Sequence, residues 1–425
     1  MTKNNLFSLF HKQSLTPLLL AVFTVRVLIF GCTSKNQKYS RSFDDPTEFY
    51  EIDFVKCFDT KQKMNISEIA ETVEYIELKT PYDLVIARTS DVVLFEDYLL
   101  ITSRGVAYLF HKSGQFIRQI GAKGQGPGEY NVAGGIAIDP AKKEILVITT
   151  NGLLFYNFDG VFLRGIKLPF YFTEFGGISD SIIWMADKIA TNTRKYKAFA
   201  ILSNASGDTL ASIPNRYYGK KTSGIPSIAL DASVRYFYQY NESLYFKGNS
   251  SNDTIWKLSG INATPHAYIN MGKYKLPFEY EFWVSVDEHI RNSDRYWGVK
   301  SVQEDDNCFF LFSRNLKMRE PTPETERTPS RNLSAYIVYD KIKKRGFAAS
   351  DENGTGLTDD IMGGPPLWPL WVSDGYYINA VEAEALLEKV ASGNYSPAAP
   401  LKELLSRIDE DTNQILILCR KKETN

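Results

Sequence analysis

One short phrase recurs along this chain and constrains its fold more than any other feature. Residues 110–116 read FHKSGQF: the end of an apolar strand, a polar turn closed by Gly114, and the start of a new strand. Residues 156–162, YNFDGVF, repeat it 46 residues later. A looser copy, NASGDTL at 204–210, places its Gly207 a further 47 residues on. Each copy follows a strand pair, at 97–110, 144–156 and 181–202. A unit of four short strands with a period in the forties cannot bury its own faces; it must stack on its neighbours, and a ring of such units leaves few edges unpaired.

The same grammar persists less cleanly at 244–258, 307–313 with 335–339, and 373–380. The units fall at about 84–120, 132–170, 174–214, 230–271, 294–348 and 368–421, and the strand 73–78 is free to complete the last of them. The expected fold is therefore all-β, a six-bladed β-propeller; five or seven blades, or a pair of sandwiches, are the alternatives. The 25 Tyr, 26 Phe and 6 Trp suit pleated surfaces on which rings pack.

Two stretches interrupt the pattern. Residues 314–334 are charged and rich in Pro, which reads as a surface loop inside blade five. Residues 380–409 hold good helix formers, with Leu386, Leu387 and Val390 on one face and Leu401, Leu404 and Leu405 on another. They read as a small helical hairpin inserted in the last blade, lying over one rim of the ring.

The amino terminus carries an address. Lys3 and Lys12 precede an apolar stretch, Leu15 to Phe30, closed by Gly31-Cys32. A cysteine directly after a short apolar segment is the pattern of a bacterial lipoprotein signal, in which Cys32 is lipidated and becomes the first residue. Arg26 interrupts the run, and an uncleaved membrane helix is the competing reading, but the stretch falls short of the ~20 apolar residues a span prefers. Residues 33–69 then form a tether and N-terminal extension, polar and unpatterned over 33–48, and 70–425 form the propeller. Beyond Cys32 only Cys57, Cys308 and Cys419 remain, too few and too scattered for a disulfide framework. Cys308 and Cys419 sit in apolar strands and read as packing residues; a disulfide through Cys57 stays open.

The run FHKSGQFIRQIGAKGQGPGEY at 110–130 resembles the linker between blades in six-bladed propeller lipoproteins of Bacteroidetes, relatives of the NHL-repeat propellers. Supporting matches are NDTIW at 252–256, GGPPLWP at 363–369 and the closing DTNQILIL at 411–418, where Gln414 stands in place of the Pro found in many relatives. The resemblance covers roughly 70–421 and implies a protein of the cell envelope, anchored by lipid to the outer membrane, with no defined activity.

Candidate sites divide between chemistry and structure. The glycines of Gly121–Tyr130 suggest a phosphate cradle, but the loop lacks the GxxxxGK[ST] ending of a P-loop, so it reads as an inter-blade crossover. Arg104, Lys123 and Glu129, and the cluster Arg194, Lys195 and Lys197, would suit an acidic sugar or peptide. The acidic, Gly-rich residues Asp351–Gly356 with Asp359 and Asp360 offer oxygen ligands for a calcium ion, but they do not match the EF-hand register, and turn formation alone accounts for acidic, Gly-rich loops. His111 occupies a turn position, filled by Asn157 in the next copy, and His266 and His289 are the remaining histidines of the mature chain. No GxSxG elbow or zinc-ligand spacing occurs. A net charge of -1, from 49 Lys plus Arg against 50 Asp plus Glu, argues against a nucleic-acid partner. No catalytic, cofactor or metal residue is assigned. The expected role is binding or scaffolding a glycan, peptide or envelope protein. The alternative is a calcium-assisted hydrolase or lyase acting on a carbohydrate or lactone in the central funnel.

Overall fold

Strand pairing divides the chain into six blades. The structure is a computed structural model describing residues 49–422 apart from 82–83, 87, 151, 169–171, 173, 180, 187–196, 215–234, 249–252, 278–292, 316–333, 353 and 394. The chain enters through β1 (Tyr50–Asp53), helix α1 (Phe54–Asp59), β2 (Lys61–Gln62) and β3 (Ala70–Glu77). Blade 1 is β4 (Thr89–Phe95), β5 (Tyr98–Ser103), β6 (Val106–His111) and β7 (Phe116–Ile120). A crossover holding β8 (Ala122–Lys123) and β9 (Glu129–Tyr130) leads to blade 2: β10 (Ala133–Asp139), β11 (Glu144–Thr149), β12 (Gly152–Tyr156) and β13 (Phe162–Lys167).

Blade 3 is β14 (Glu174–Ile178), β15 (Ile182–Ala186), β16 (Lys197–Ser203) and β17 (Thr209–Pro214). Blade 4 is β18 (Phe237–Tyr240), β19 (Ser243–Phe246), β20 (Thr254–Ser259) and β21 (Asn262–Asn270). Blade 5 is β22 (Trp297–Glu304), β23 (Cys308–Asn315), β24 (Ser334–Asp340) and β25 (Arg345–Asp351), with the short β26 (Gly354–Thr355) on its edge. Blade 6 takes β27 (Trp371–Ser373), β28 (Tyr376–Val381) and β29 (Ile415–Lys421) from the end of the chain and β3 from its beginning. The N-terminal strand thus closes the ring, pairing with β29 from Ala70 to Glu77.

Burial explains the strand sequences. The two middle strands of a blade are covered on both faces by neighbouring blades, so β5 (YLLITS) and β6 (VAYLFH) read as continuous apolar runs. Outer strands such as β13 (FLRGIK) are only partly covered and alternate. The buried side chains form six clusters, one at each junction between adjacent blades. Leu416 and Leu418 of blade 6, for example, meet Leu99, Ile101 and Phe110 of blade 1.

The recurring phrase is the turn between third and fourth strands. His111 N donates to Gln115 O at 2.8 Å, Asn157 N to Val161 O at 3.0 Å, and Ser203 N to Asp208 O at 2.8 Å. Gly114, Gly160 and Gly207 take φ of 86°, 74° and 76°, a conformation that disfavours any residue with a Cβ.

The helical insertion of the last blade is present as α2 (Ala383–Ser392) and α3 (Ala399–Leu405), between β28 and β29. Leu386, Leu401 and Leu404 are buried in the cluster between blades 5 and 6, so the hairpin is part of that core. The Pro-rich stretch expected as a loop lies largely outside the described residues; Arg314 and Asn315 end β23, and Ser334 begins β24.

The extension before the propeller holds more structure than its sequence suggests. β1 pairs in parallel with β21 and β2 in parallel with β25, adding outer strands to blades 4 and 5. Between them α1 is capped by Asp53, whose Oδ1 accepts from Lys56 N at 3.1 Å. Ile52, Phe54 and Cys57 are buried beneath this strap.

Connections differ sharply between the two faces of the ring. On one face, the turns from first to second and from third to fourth strands span two to five residues. Contacts such as Lys143 Nζ to Glu96 Oε1 (3.0 Å) and Tyr240 OH to Asp306 Oδ1 (2.9 Å) link successive turns there. The opposite face receives every long connection, including the hairpin segment 382–414 and the links between blades.

Candidate functional site

All six innermost strands, β4, β10, β14, β18, β22 and β27, line one central cavity of about 2430 Å³. It runs from Phe95, Pro140, Glu242 and Asp374 at the short-turn end to Arg88, Arg235 and Tyr395 at the long-loop end. Its volume exceeds the roughly 300–1,000 Å³ of a site for one small molecule, so it suits an extended ligand.

Charge is unevenly placed within it. Arg235 stacks on Trp371, its Cζ 4.4 Å from the ring centroid, and its Nη1 lies 3.6 Å from Asp91 Oδ1. Trp371 Nε1 donates to the same Asp91 oxygen at 3.1 Å, and Arg235 Nη2 donates to Ser90 O at 3.2 Å. Glu174 Oε1 accepts from the backbone N–H of Tyr236 at 2.8 Å and of Phe237 at 3.2 Å, which fixes the entry into β18.

Toward blade 6 the wall changes character. Phe312 and Tyr336 rings lie 5.3 Å apart, Tyr336 and Trp368 5.0 Å apart, and the Arg314 guanidinium sits 5.3 Å from the Phe312 centroid. Lys300 lines the same lobe with only 4% of its surface exposed. Burial first, and then the positive charge of Arg314, push its amine down to about 7.

A family described as a domain of unknown function (DUF4934) matches residues 49–420. The chain is a DUF4934 protein. Among solved structures, a putative exported protein from Bacteroides fragilis is 19% identical with a TM-score of 0.62, over 88% of this chain and 99% of that one. A DUF4221 member from Bacteroides vulgatus is 15% identical with a TM-score of 0.49, over 84% and 98%. No curated protein matches the DUF4934 chain. The six-bladed ring expected from the repeats is present, and its fold is similar to that of the Bacteroides fragilis protein.

The residues singled out in the sequence mostly serve the DUF4934 scaffold. Gly121–Tyr130 is an inter-blade crossover: Tyr130 OH donates to Ile120 O at 2.6 Å and accepts from Ala107 N at 3.1 Å, and Tyr156 OH donates to Gly128 O at 2.8 Å. Gly128, at φ 74°, leaves no room for a Cβ, which would lie 2.6 Å from Phe162 Cβ. Glu129 Oε2 accepts from Gly126 N at 2.9 Å. Arg104, Lys123 and Glu129 are exposed and do not line the cavity. Arg194 and Lys195 lie outside the described residues, as do Cys32 and His289. Lys197 begins β16.

The acidic segment proposed for calcium binds its own chain. Asp359 Oδ2 accepts from Tyr75 OH at 2.8 Å and its Oδ1 from Met362 N at 2.9 Å. Asp360 accepts from Ser67 N and Ser67 Oγ, and Asp351 Oδ2 accepts from Thr358 Oγ1 at 2.6 Å. These oxygens, facing N–H and O–H donors, clamp the strap and the entry to blade 6. Among the described residues no three His, Cys, Asp or Glu side chains gather closely enough for a metal.

His111 is a turn residue, its Nδ1 2.8 Å from Ser113 Oγ. His266 is buried between blades 4 and 5, its Nε2 2.9 Å from Glu304 Oε1, away from the cavity lining. Cys57, Cys308 and Cys419 are free and buried, and burial holds the Cys57 and Cys308 thiols up at about 12. Gln414, the departure from the family pattern, lines the cavity and joins blades: its Oε1 accepts from Thr89 N at 2.9 Å and its Nε2 donates to Glu382 Oε1 at 3.0 Å.

Asp91, Glu174, Arg235, Lys300 and Trp371 were not found from sequence. A charged residue near the start of an otherwise apolar innermost strand is the signal that would have found Lys300, in WGVKSVQE, and Arg235, in VRYFYQY.

Proposed function

We propose that this is an exported envelope protein, anchored through lipidated Cys32, whose propeller binds an extended ligand in its central cavity from the long-loop face. The observation that carries this reading is the cavity itself, walled by all six inner strands and reaching the face where every long connection lies. Its lining favours binding over hydrolysis. Among the described residues no histidine reaches it, and two of its carboxylates are engaged within the scaffold, Asp91 by Arg235 and Trp371 and Glu174 by backbone N–H groups. A Bacteroides fragilis protein of similar fold, described as a putative exported protein, supports placement outside the cytoplasm.

The test is photo-crosslinking of the full-length protein in native membranes, comparing wild type with Gly134→Trp. Gly134 lines the cavity, and a Cβ there meets nothing closer than Ile148 O at 3.7 Å, so an indole is added to the wall without forcing the backbone. The added bulk is expected to weaken capture of the ligand; equal capture by both proteins would remove the cavity from the function. In the same cells Cys32→Ala is expected to move the protein from the membrane to the soluble fraction, and its retention there would refute the anchor.

A further inference from the structure

We propose that a cleft between blades 5 and 6, opening off the central cavity, seats one ring of a neutral oligosaccharide. This rests on the proposed binding role of the cavity and names the class of ligand. The cleft has a cause in the sequence. The segment entering blade 6, PPLWPL at 365–370, holds three prolines, which have no N–H to give to a ladder. The innermost strand that follows is accordingly short: β27 has three residues, against eight in β22 of blade 5 and seven in β4 of blade 1. Part of blade 5 is thus left without a facing strand, and the cavity spreads sideways there. Among the described residues, second and third strands reach its lining only in these two blades, with Phe312 of β23, Tyr336 of β24 and Asn379 of β28 among them.

Strand register sets a polar edge beside an apolar platform. Ser301 pairs with Phe312 and Phe312 with Tyr336, so a hydroxyl and two rings stand in one row on one face of blade 5. Trp368 continues the platform, its ring centroid 5.0 Å from that of Tyr336. Gln303, two residues along β22, shares the face of Ser301, and its Nε2 donates to Leu370 O of the blade 6 entry at 3.4 Å. Ser301 and Gln303 are only 4% and 5% exposed. Even so, Ser301 Oγ and Gln303 Oε1 have no hydrogen-bond partner among the described residues. On the blade 6 side Asn379 Oδ1 accepts from Ala380 N at 2.7 Å, and its Nδ2 has no partner among the described residues. Buried polar groups are nearly always paired, so such a set on a cavity wall marks where the polar groups of a ligand are received.

Charge does not choose the ligand. The cavity lining carries five Arg and Lys against six Asp and Glu. On the side of blades 5 and 6 the signs are mixed as well: Lys300, Arg314 and Lys389 line it together with Glu352 and Glu382, and Glu382 already accepts from Gln414 Nε2 at 3.0 Å. An ionic ligand would meet no dominant opposite sign. A hydroxyl or carboxamide both donates and accepts, and a sugar hydroxyl does the same in return. Phe312 and Tyr336 suit the apolar C–H face of a sugar ring, whereas a wholly apolar ligand would leave Ser301 and Gln303 unsatisfied. An uncharged oligosaccharide meets these conditions together, with one ring in the cleft and the rest along a cavity of about 2430 Å³.

The experiment is calorimetric titration of the full-length protein in detergent with cellotetraose, maltotetraose, mannotetraose and xylotetraose, and with tetragalacturonate and tetraserine as contrasts. At least one neutral tetrasaccharide is expected to bind wild type, with an affinity that holds constant between roughly 0.05 and 0.5 M salt. That affinity should fall by about tenfold or more when Ser301→Ala and Gln303→Met are combined, and by a similar factor in Tyr336→Leu. Ser301→Ala alone removes a single oxygen that holds no protein partner, so it should melt as wild type does and still weaken binding by about threefold. No binding of any neutral tetrasaccharide to wild type, or unchanged affinity in Ser301→Ala and in the combined variant, overturns the proposal. Tighter binding of tetragalacturonate overturns it in favour of an anionic ligand, and tighter binding of tetraserine in favour of a peptide. If no neutral tetrasaccharide binds while Gly134→Trp still weakens capture of the native ligand, the cavity reading survives and only the assignment of the cleft falls.

Discussion

The two faces of this propeller treat charge in opposite ways. Toward the short-turn face, charges are paired and locked between blades. Glu304, with no exposed surface, accepts from Lys341 Nζ at 2.5 Å, from Tyr238 OH at 2.7 Å, and lies against His266. Lys341 Nζ also donates to Asp305 O at 2.6 Å, and Asp305 Oδ2 accepts from Tyr377 OH at 2.5 Å, which carries the network into blade 6. At the long-loop end of the cavity, Arg88 and Arg314 form no ion pair among the described residues. One face is wired for cohesion; at the other, Arg235 is paired with Asp91 while these two arginines are not.

Breaking the wired face should have the largest effect. Glu304→Ala leaves Lys341 buried opposite no charge, and a stability loss of ~3–5 kcal/mol is expected in urea unfolding. A loss under ~1 kcal/mol would mean that the network is not cohesive. Next comes the hairpin that overlies the long-loop face: Leu386→Ala opens a cavity between blades 5 and 6 and should cost ~2–5 kcal/mol. A much smaller value would show the hairpin to be an appendage rather than part of that core.

The buried amine of Lys300 in the cavity wall predicts an effect of opposite sign. The Lys300 amine is held down near 7 when folded, against an ordinary value of 10.5 in the unfolded chain. Below pH 7 the folded state carries the full penalty of a buried charge; between pH 7 and 10.5 the unfolded state binds more protons, so the penalty fades as pH rises. Lys300→Met should therefore stabilise the protein by on the order of a few kcal/mol at pH 6 and hardly at all at pH 10. Melting curves that show a pH-independent difference would contradict this assignment. The smallest effect belongs to the exposed pair Lys143 and Glu96, at 63% and 52% side-chain exposure. Lys143→Ala should change stability by under ~0.5 kcal/mol, and its effect should vanish in high salt.

How much of this was legible in the sequence follows from which contacts are local. The turn at Lys112–Gly114 and its copies are fixed by residues within five positions of one another, so their period and the blade boundaries could be read directly. The closing role of 73–78 followed from the ring's need for a last edge strand. β1 and β2 gave no such signal: four and two residues long, they owe their existence to partners more than two hundred residues away, Ala267–Asn270 and Ala348–Ala349. The cavity cations escaped for a related reason. Exposed charges such as Arg104 and Lys123 look functional in a sequence, whereas Lys300 sits in a strand that reads as core, and only the assembled ring shows that this strand faces a hole.

The N-terminal strap has a mechanical meaning. β1 runs parallel to β21 and β2 parallel to β25, so a pull along the entering strand loads their hydrogen bonds in shear, several at once, instead of peeling them one by one. Were the chain held by its amino terminus, as proposed, tension would be taken up by the outer rim of blades 4 and 5. The walls of the central cavity stand behind that rim and carry none of the load directly.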